Sequence, residues 1–200
     1  FHRFYQKHLV RSSFDKQERP ILINNWEATF FDFNEEKILS LAKKAASVGI
    51  ELFVLDDGWF GHRDSDDSSL GDWFVDKKKL PNGLKSLAEK IHDMGMKFGL
   101  WFEPEMISQD SELFYMHPDY VLHTEGRPYT IGRGQLVLDL SREEVCDYVI
   151  TSIRRILKEN PIDYVKWDMN RHLTDVGSLF FESDRQGEIT HRYVLGLYRI

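Results

Sequence analysis

The segment Lys166-Trp167-Asp168-Met169-Asn170 carries three polar side chains with the potential for chemistry. Alternate residues of a β-strand share one face, so Lys166, Asp168 and Asn170 are expected on one side if the strand extends that far. Strands of parallel sheets are usually apolar throughout, and a buried lysine or carboxylate is costly unless it is paired. The pattern indicates a functional site. The alternative is a structural ion pair between Lys166 and Asp168, or between Lys166 and a carboxylate of another strand.

A second polar group, Asp56-Asp57-Gly58-Trp59, follows another apolar segment. Two adjacent carboxylates can ligate a metal, bind hydroxyl groups or act as acid and base, whereas an aspartate before a glycine is also typical of an ordinary turn. Ionised carboxylates are strong hydrogen-bond acceptors, and an exposed tryptophan ring suits the flat face of a sugar. The four residues together favour a carbohydrate ligand.

Two further residues remain open between functional and ordinary roles. Trp101 has the same alternation as Glu103 and Glu105 in a third apolar segment, but a core tryptophan explains it equally well. Arg133 lies between two glycines in a predicted loop, where a solvated arginine is the more common outcome. The surrounding Gly-x-Gly lacks the rest of a phosphate-binding fingerprint.

No metal or cofactor is expected from the sequence. Residues 62–67 superficially resemble a calcium loop but lack its glycine and its bidentate glutamate, so we interpret them as a solvated acidic loop. The eight histidines show no HExxH or comparable spacing, which disfavours a catalytic metal. Cys146, the one cysteine, falls inside a predicted helix and is interpreted as a small core residue.

The composition is that of a globular protein. The 200 residues carry a formal charge of -7, with 42% hydrophobic and 30% charged residues, which excludes disordered, collagen-like and disulfide-scaffold classes. No apolar run reaches the ~18 residues that span a bilayer, so no membrane partner is expected. The acidic balance disfavours nucleic acid. A single cysteine suits a reducing compartment, and a cytoplasmic location is expected. The chain begins at Phe1 and its last predicted helix lacks a terminator, so we expect a fragment.

The remaining segments must position these residues. Residues 1–19 are polar and are expected to be an irregular lead-in from an upstream domain. After an apolar run at 21–26, the pattern predicts strands at 51–55, 97–102 and 163–168, an extended piece at 135–140, and helices at 35–48, 84–94, 111–117, 141–160 and 188–200. Ser141 and Glu144 form a predicted capping box at the start of the helix over 141–160.

Alternation of strand and helix predicts an α/β fold with a parallel sheet. Polar residues lie at the carboxyl ends of all four predicted strands, at Asn24, at Asp56 and Asp57, at Glu103 and Glu105, and at Asp168. An open sheet binds ligands mainly near one switch point, whereas a (β/α)8 barrel builds its site from every strand end. The pattern therefore favours a TIM barrel, and four units out of a fold of roughly 250 residues make residues 20–200 its N-terminal half.

Four motifs occur here in the order found in microbial α-galactosidases of glycoside hydrolase family 36, and residues 20–200 resemble that family. They are Asp-Asp-Gly-Trp-Phe at 56–60, Gly-Leu-Trp-Phe-Glu-Pro-Glu-Met at 99–106, Gln-Leu-Val-Leu-Asp-Leu-Ser-Arg at 135–142 and Lys-Trp-Asp-Met-Asn-Arg at 166–171. The segment Arg19–Trp26 resembles that family's entry into the first barrel strand.

The resemblance implies a retaining α-galactosidase acting on melibiose- and raffinose-type sugars, without a cofactor. Asp168 matches the family's nucleophile, and Asp56 and Asp57 match the pair that binds the galactose 4- and 6-hydroxyl groups. The other positions that match the sugar subsite are Trp26, Trp101, Arg133, Lys166 and Asn170. The family's barrel lies between two β-rich domains, many members are tetramers, and the acid/base aspartate lies on a later strand, beyond Ile200.

Several other functions remain open at this point. Raffinose-synthase-type transglycosylases and α-N-acetylgalactosaminidases share much of this architecture, and a non-catalytic sugar-binding half-barrel belongs to a different class. An open-sheet nucleotide-binding protein is disfavoured because no Gly-rich phosphate loop follows the first strand.

Overall fold

A computed structural model describes residues 1–10 and 17–200. Within these ranges six strands form two sheets: β1 (Leu22–Asn24), β2 (Leu52–Leu55), β3 (Lys97–Phe102), β4 (Met106–Ile107), β5 (Leu136–Val137) and β6 (Tyr164–Trp167). Four of them make a parallel sheet in the order β1-β2-β3-β6, and β4 pairs antiparallel with β5. The predicted α/β class with a parallel sheet is confirmed.

Seven α-helices accompany the strands in the described residues: α1 (His2–Phe4), α2 (Trp26–Thr29), α3 (Glu35–Ser47), α4 (Gly83–Asp93), α5 (Glu112–Met116), α6 (Glu143–Glu159) and α7 (Ile189–Arg199). The predicted helices agree within a few residues. Asn34 begins α3 by accepting the Lys37 backbone N–H at 2.9 Å, which satisfies one of the first-turn donors. None of these helices is long and apolar enough to cross a membrane.

The core lies between the parallel sheet and the helices that connect its strands. Every residue of β2 is buried, and so is β3 beyond Lys97. The helices α3, α4 and α6 each bury one apolar face, as the 3.6-residue period predicts. By contrast, β1 and β6 are the outer strands of the sheet and are partly exposed.

Trp59 belongs to this core, which corrects the expectation that it offers an open face to a sugar. Its side chain is fully buried and packs against Phe60, Trp73 and Phe102. Its Nε1–H donates to the Trp101 carbonyl oxygen at 2.9 Å. Gly58, with a φ of +100°, turns the chain immediately before Trp59. The direction in which the indole then lies cannot be inferred from its position after two aspartates.

The predicted capping box at Ser141 is wrong. The helix α6 begins one residue later than a Ser141 cap requires, with Arg142 at the cap position and no side-chain cap hydrogen bond. The Ser141 hydroxyl donates instead to Asp139 Oδ1, and Glu144 accepts from Arg142 Nε at 2.9 Å. A nearby buried carboxylate competes successfully for the serine hydroxyl.

The amino-terminal segment differs from the predicted irregular lead-in. Residues 2–9 are helical, with α1 continuing into a π-helix at Tyr5–Leu9, and they are exposed. Aromatic contacts one helical turn apart, such as Phe4 with His8, accompany the helix. The rest of the predicted lead-in includes residues 11–16, which lie outside the described residues.

Candidate active site

The carboxyl ends of the four parallel strands bring the predicted polar residues to one edge of the sheet. A cavity of about 230 Å³ lies there. Its lining contains all eight site residues selected from the sequence, together with three others, Arg63, Asp66 and Glu103. The lining residues from the sequence are Trp26, Asp56, Asp57, Trp101, Arg133, Lys166, Asp168 and Asn170. Parallel strands end at the same edge, which is why residues 142 positions apart in the chain meet here.

Asp168 is the first residue after β6 and is held by three N–H donors. Its Oδ2 accepts hydrogen bonds from Trp101 Nε1 at 3.0 Å and from Asn170 Nδ2 at 2.9 Å. Its Oδ1 accepts the Met169 backbone N–H at 3.0 Å. Burial opposes ionisation, but these donors and the charge of Lys166 outweigh it and hold the pKa of Asp168 below its usual range.

Lys166 pairs with Asp56 rather than with its strand neighbour Asp168. The Lys166 ammonium lies 2.7 Å from Asp56 Oδ2, and Asn24 Nδ2 donates to the same oxygen. Asp56 is 4% exposed at its side chain, whereas Lys166 is 37% exposed. The strand order places β6 two strands away from β2, so the long lysine side chain crosses the open edge above β3. The ion pair that the sequence left open therefore joins β2 to β6.

Asp57 is held by Arg63, which belongs to the segment expected to be a solvated acidic loop. Arg63 Nε lies 2.9 Å from Asp57 Oδ1 and Arg63 Nη2 lies 2.8 Å from Asp57 Oδ2, a bidentate pair. Arg63 is 1% exposed, so this part of the 62–67 interpretation is wrong, although Asp64–Asp67 are exposed as expected. Burial raises the pKa of Asp57, and the hydrogen bonds and charge of Arg63 oppose that shift.

Lys79 fastens the backbone of the same loop. Its Nζ donates to the carbonyl oxygens of Gly58 at 2.9 Å and Arg63 at 2.8 Å, and it also pairs with Asp64. Lys79 therefore fixes the backbone of this loop, and Arg63 fixes the Asp57 side chain. The pairing of Arg63 with Asp57 could not be predicted from their spacing in the sequence, because it depends on how the loop between them folds.

Arg133 lies at the tip of a two-residue hairpin turn. Gly132 and Gln135 exchange two backbone hydrogen bonds, at 3.1 and 2.9 Å, and both residues between them have positive φ, +52° at Arg133 and +70° at Gly134. For a side chain other than glycine this conformation costs about 1–2 kcal/mol. Arg133 Nη2 donates to Asp66 Oδ1 at 3.2 Å across the cavity mouth, and both side chains are about half exposed.

Trp26 and Trp101 line the cavity in different ways. Trp26 begins α2 and is separated from β1 by Asn25 alone. Its backbone N–H donates to Asn24 Oδ1 at 2.7 Å, and its ring remains partly exposed. Trp101 is 1% exposed, so its ring is a core group while its Nε1–H reaches Asp168. The core interpretation of Trp101 is therefore confirmed for its ring, whereas its role in binding a substrate stays a prediction.

Glu103 and Glu105 follow β3 but have separate environments. Glu103 lines the cavity, is fully buried and accepts the Asn170 backbone N–H at 2.6 Å. Burial raises its pKa, although the bonds from Asn170 oppose the shift. Glu105 points away from the cavity and accepts from Trp167 Nε1 at 3.0 Å and Tyr193 Oη at 2.5 Å. The strand alternation that grouped the two residues ends with β3 at Phe102.

The chemistry available at this edge is that of carboxylates. The surroundings of Asp168 lower its pKa and so favour the carboxylate, and among the described residues no cation forms an ion pair with it, whereas Asp56 and Asp57 each pair with a cation. Among residues 1–10 and 17–200, no group of three or more histidine, cysteine, aspartate or glutamate side chains has the arrangement of a metal site. The site combines a carboxylate held by N–H donors with several fixed groups that can accept or donate hydrogen bonds to hydroxyl groups.

Comparison with known proteins identifies relatives over the whole chain. The Melibiase family matches residues 1–200. The α-galactosidase AgaA of Geobacillus stearothermophilus is 60% identical over 200 residues, which are 100% of this chain and 27% of AgaA. Alpha-galactosidase 1 of Pediococcus pentosaceus is 54% identical over 200 residues, again 100% of this chain and 27% of the relative.

The solved structures agree. A crystal structure of a variant of the family 36 glycoside hydrolase AgaA from Geobacillus stearothermophilus, in complex with raffinose, superposes with a TM-score of 0.96 at 60% identity. The match covers 99% of this chain and 28% of that one. The chain spans 27% of the length of the two curated relatives. Since the family match extends over all 200 residues, the chain belongs to the Melibiase family, glycoside hydrolase family 36.

Proposed function

We propose that the protein containing this chain is a retaining α-galactosidase, which hydrolyses terminal α-linked galactose from melibiose- and raffinose-type oligosaccharides. The observation that carries the proposal is the state of Asp168, a carboxylate kept ionised by N–H donors in a cavity lined with hydroxyl-binding groups. The relatives are named α-galactosidases, and one solved relative holds raffinose. Nothing in the comparisons favours the transferase or the non-catalytic alternative.

Asp168 is the proposed nucleophile, and its hydrogen bonds identify the attacking atom. A carboxylate offers about four lone-pair positions, two on each oxygen. Trp101 and Asn170 occupy both positions on Oδ2, whereas Met169 occupies one on Oδ1. The remaining position on Oδ1 would attack the anomeric carbon, forming a bond between Oδ1 and that carbon while the glycosidic carbon–oxygen bond breaks. The leaving oxygen takes a proton from a second carboxyl group.

Asp56 and Asp57 are the proposed acceptors for the galactose 4- and 6-hydroxyl groups. Each is held by a cation that leaves some acceptor positions unused. Fixed carboxylates can then distinguish the axial 4-hydroxyl group of galactose from the equatorial one of glucose, because a site built for one hydroxyl direction leaves polar groups unpaired with the other. Trp26, Arg133 and Lys166 complete the proposed sugar subsite.

The second carboxyl group of the mechanism is proposed to lie outside these 200 residues. A retaining enzyme needs two carboxyl groups about 5–5.5 Å apart. Glu103 is the remaining carboxyl group in the cavity lining without a cation, but it is fully buried and holds the Asn170 N–H. That contact gives Glu103 a positioning role. A segment of the longer protein would supply the acid/base group.

The same proposal extends the fold. Residues 20–200 would be the N-terminal half of a (β/α)8 barrel, residues 1–19 a lead-in from an upstream domain, and the outer strands β1 and β6 would pair with strands from the rest of the protein. The full barrel would place the acid/base group at the same edge as Asp168. Assembly of the whole protein into a homo-oligomer stays a prediction.

A mechanism-based label tests the assignment in the full-length protein. A fluorinated galactosyl substrate should leave a covalent sugar on the peptide that contains Asp168, and Asp168→Asn should lower kcat by more than about 1,000-fold with the fold intact. Asp163→Asn is the matched control, because Asp163 lies at the opposite end of β6 and accepts the Phe98 N–H. A label on another peptide, or near wild-type turnover by Asp168→Asn, would refute the nucleophile assignment.

A further inference from the structure

Arg171 lies directly after the site residue Asn170 but does not line the cavity. It is 8% exposed, and its guanidinium bonds to neutral oxygens. Nη1 donates to the carbonyl oxygens of Thr130 at 3.0 Å and Gln135 at 2.5 Å, and Nη2 donates to Thr174 Oγ1 at 2.8 Å. Within the described parts of the chain no carboxylate pairs with it. Burying an arginine without a carboxylate is costly, so these contacts need a structural or functional reason.

Two of the three carbonyl groups that Arg171 holds, those of Thr130 and Gln135, flank the hairpin turn of Arg133, and the third is that of His172, which accepts from Nε at 3.3 Å. The Gln135 carbonyl oxygen also accepts the Gly132 N–H that closes the turn. The guanidinium packs so closely on the turn that a Cβ added at Gly132 would lie 3.2 Å from Arg171 Cζ. A planar group with five donors in fixed directions can hold two carbonyl groups and a hydroxyl at once, which a lysine cannot reproduce.

The turn needs such an anchor because its conformation is strained. Arg133 has a φ of +52°, and non-glycine residues persist there only when the surroundings determine the backbone. The tip is also confined on its far side, since a Cβ at Gly134 would lie 2.4 Å from Asp67 Cβ. Arg171 on one side and the 65–68 loop on the other therefore fix the direction in which the Arg133 side chain leaves the turn.

We propose that Arg171 is a positioning residue that fixes the hairpin turn of Arg133 relative to Asp168. The segment 168–171 then does two things at once: Asn170 holds the carboxylate, and Arg171 holds the loop that carries the cation at the cavity mouth. The inference rests on the proposed function for its effect on substrate, but its structural part stands without it.

Amide hydrogen exchange in the full-length protein tests the structural part. In Arg171→Lys, the amides of Gly132 and Gln135, whose hydrogen bonds close the turn, should exchange roughly tenfold faster, because the local opening of the turn becomes easier. The matched control is Arg142→Lys, since Arg142 is also 8% exposed but pairs with Asp119 and Glu144 away from the cavity. Unchanged protection of the Gly132 and Gln135 amides in Arg171→Lys would overturn the proposal.

Steady-state kinetics with an aryl α-galactoside tests the effect on substrate. Arg171→Lys should raise KM about tenfold with kcat within about threefold, the pattern of lost ground-state binding, and Arg142→Lys should change neither. In an Arg133→Ala background, Arg171→Lys should have no further effect on KM. A full additional effect in that background would show that Arg171 does not act through Arg133.

A second variant covers the case in which Arg171→Lys fails to fold. Gly132→Ala keeps the arginine at position 171, but the new Cβ would displace its guanidinium slightly from the turn. The same increases in amide exchange and KM are expected, smaller than those in Arg171→Lys. If exchange accelerates while Arg133→Ala itself leaves KM unchanged, Arg171 still fixes the turn and the substrate role proposed for Arg133 is what fails.

Discussion

Replacing Trp101 by phenylalanine in the full-length protein removes one of the two N–H donors to Asp168 Oδ2, a hydrogen bond of 3.0 Å. A hydrogen bond to a charged group contributes about 1.5–3 kcal/mol, and the lower value applies because Asp168 is only partly buried. About 1.5 kcal/mol corresponds to a pKa rise of about 1 unit. The donor favours the charged form, so its loss raises the pKa of Asp168.

The assay is the pH dependence of kcat/KM for an aryl α-galactoside. The proposed nucleophile must be ionised, so activity is lost as the pH falls through the pKa of Asp168. In Trp101→Phe the acid limb should therefore move to higher pH by about 1 unit. Trp73→Phe is the matched control, because Trp73 is equally buried and its Nε1 bonds to no group within the described residues.

Two results would contradict this reasoning. If the acid limb of Trp101→Phe stays where it is in the wild type, the indole N–H does not set the ionisation of Asp168. If Trp73→Phe shifts the limb equally, loosening of the aromatic cluster is the cause and the hydrogen bond is not. Each variant's thermal unfolding separates a change in pKa from a loss of folded protein.

Three further outcomes are expected. The isolated 200-residue chain should show no turnover of aryl α-galactosides, because the proposed acid/base group lies outside it; measurable turnover would place that group inside. In the full-length protein, Glu103→Gln should retain activity within about tenfold, because the amide oxygen still accepts the Asn170 N–H; a loss as large as that of a catalytic carboxyl would assign Glu103 the second role. Gly99→Ala should lower the free energy of unfolding, measured by urea titration, by about 1–3 kcal/mol. The reason is steric, because the new Cβ would lie 2.9 Å from Val54 Cγ2 and 3.0 Å from Tyr164 Cδ1. An unchanged urea midpoint would mean that the sheet accommodates the extra methyl group at β3.

The sequence predicted the elements of the parallel sheet and the edge where the site lies. Short apolar segments alternate in the sequence with helices of 3.6-residue period. Few fold topologies are compatible with that alternation, and the right-handedness of βαβ units excludes most of the remaining ones. Polar residues placed after Leu55, Phe102 and Trp167 then had to meet at one edge. The tertiary structure confirmed that meeting for every selected site residue, whereas their roles stay predictions.

Single-residue orientations were predicted less well. Trp59 was expected to face a ligand but is buried, and Ser141 was expected to cap a helix but donates to Asp139. In both cases a local pattern was compatible with two directions of the side chain. For the indole the choice was made by burial against residues distant in sequence, such as Phe102, and for the hydroxyl by the neighbouring carboxylate of Asp139.

The partners of the charged groups were decided by the tertiary structure alone. Lys166 pairs with Asp56 across 110 residues, and Arg171 holds backbone carbonyl groups 36 and 41 residues away. A hydrogen bond forms only at contact distance and charge attraction weakens with separation, so a partner is fixed only when strand order and loop path bring two groups together. Periodicity in the chain determines where the backbone runs, and packing determines which charge meets which.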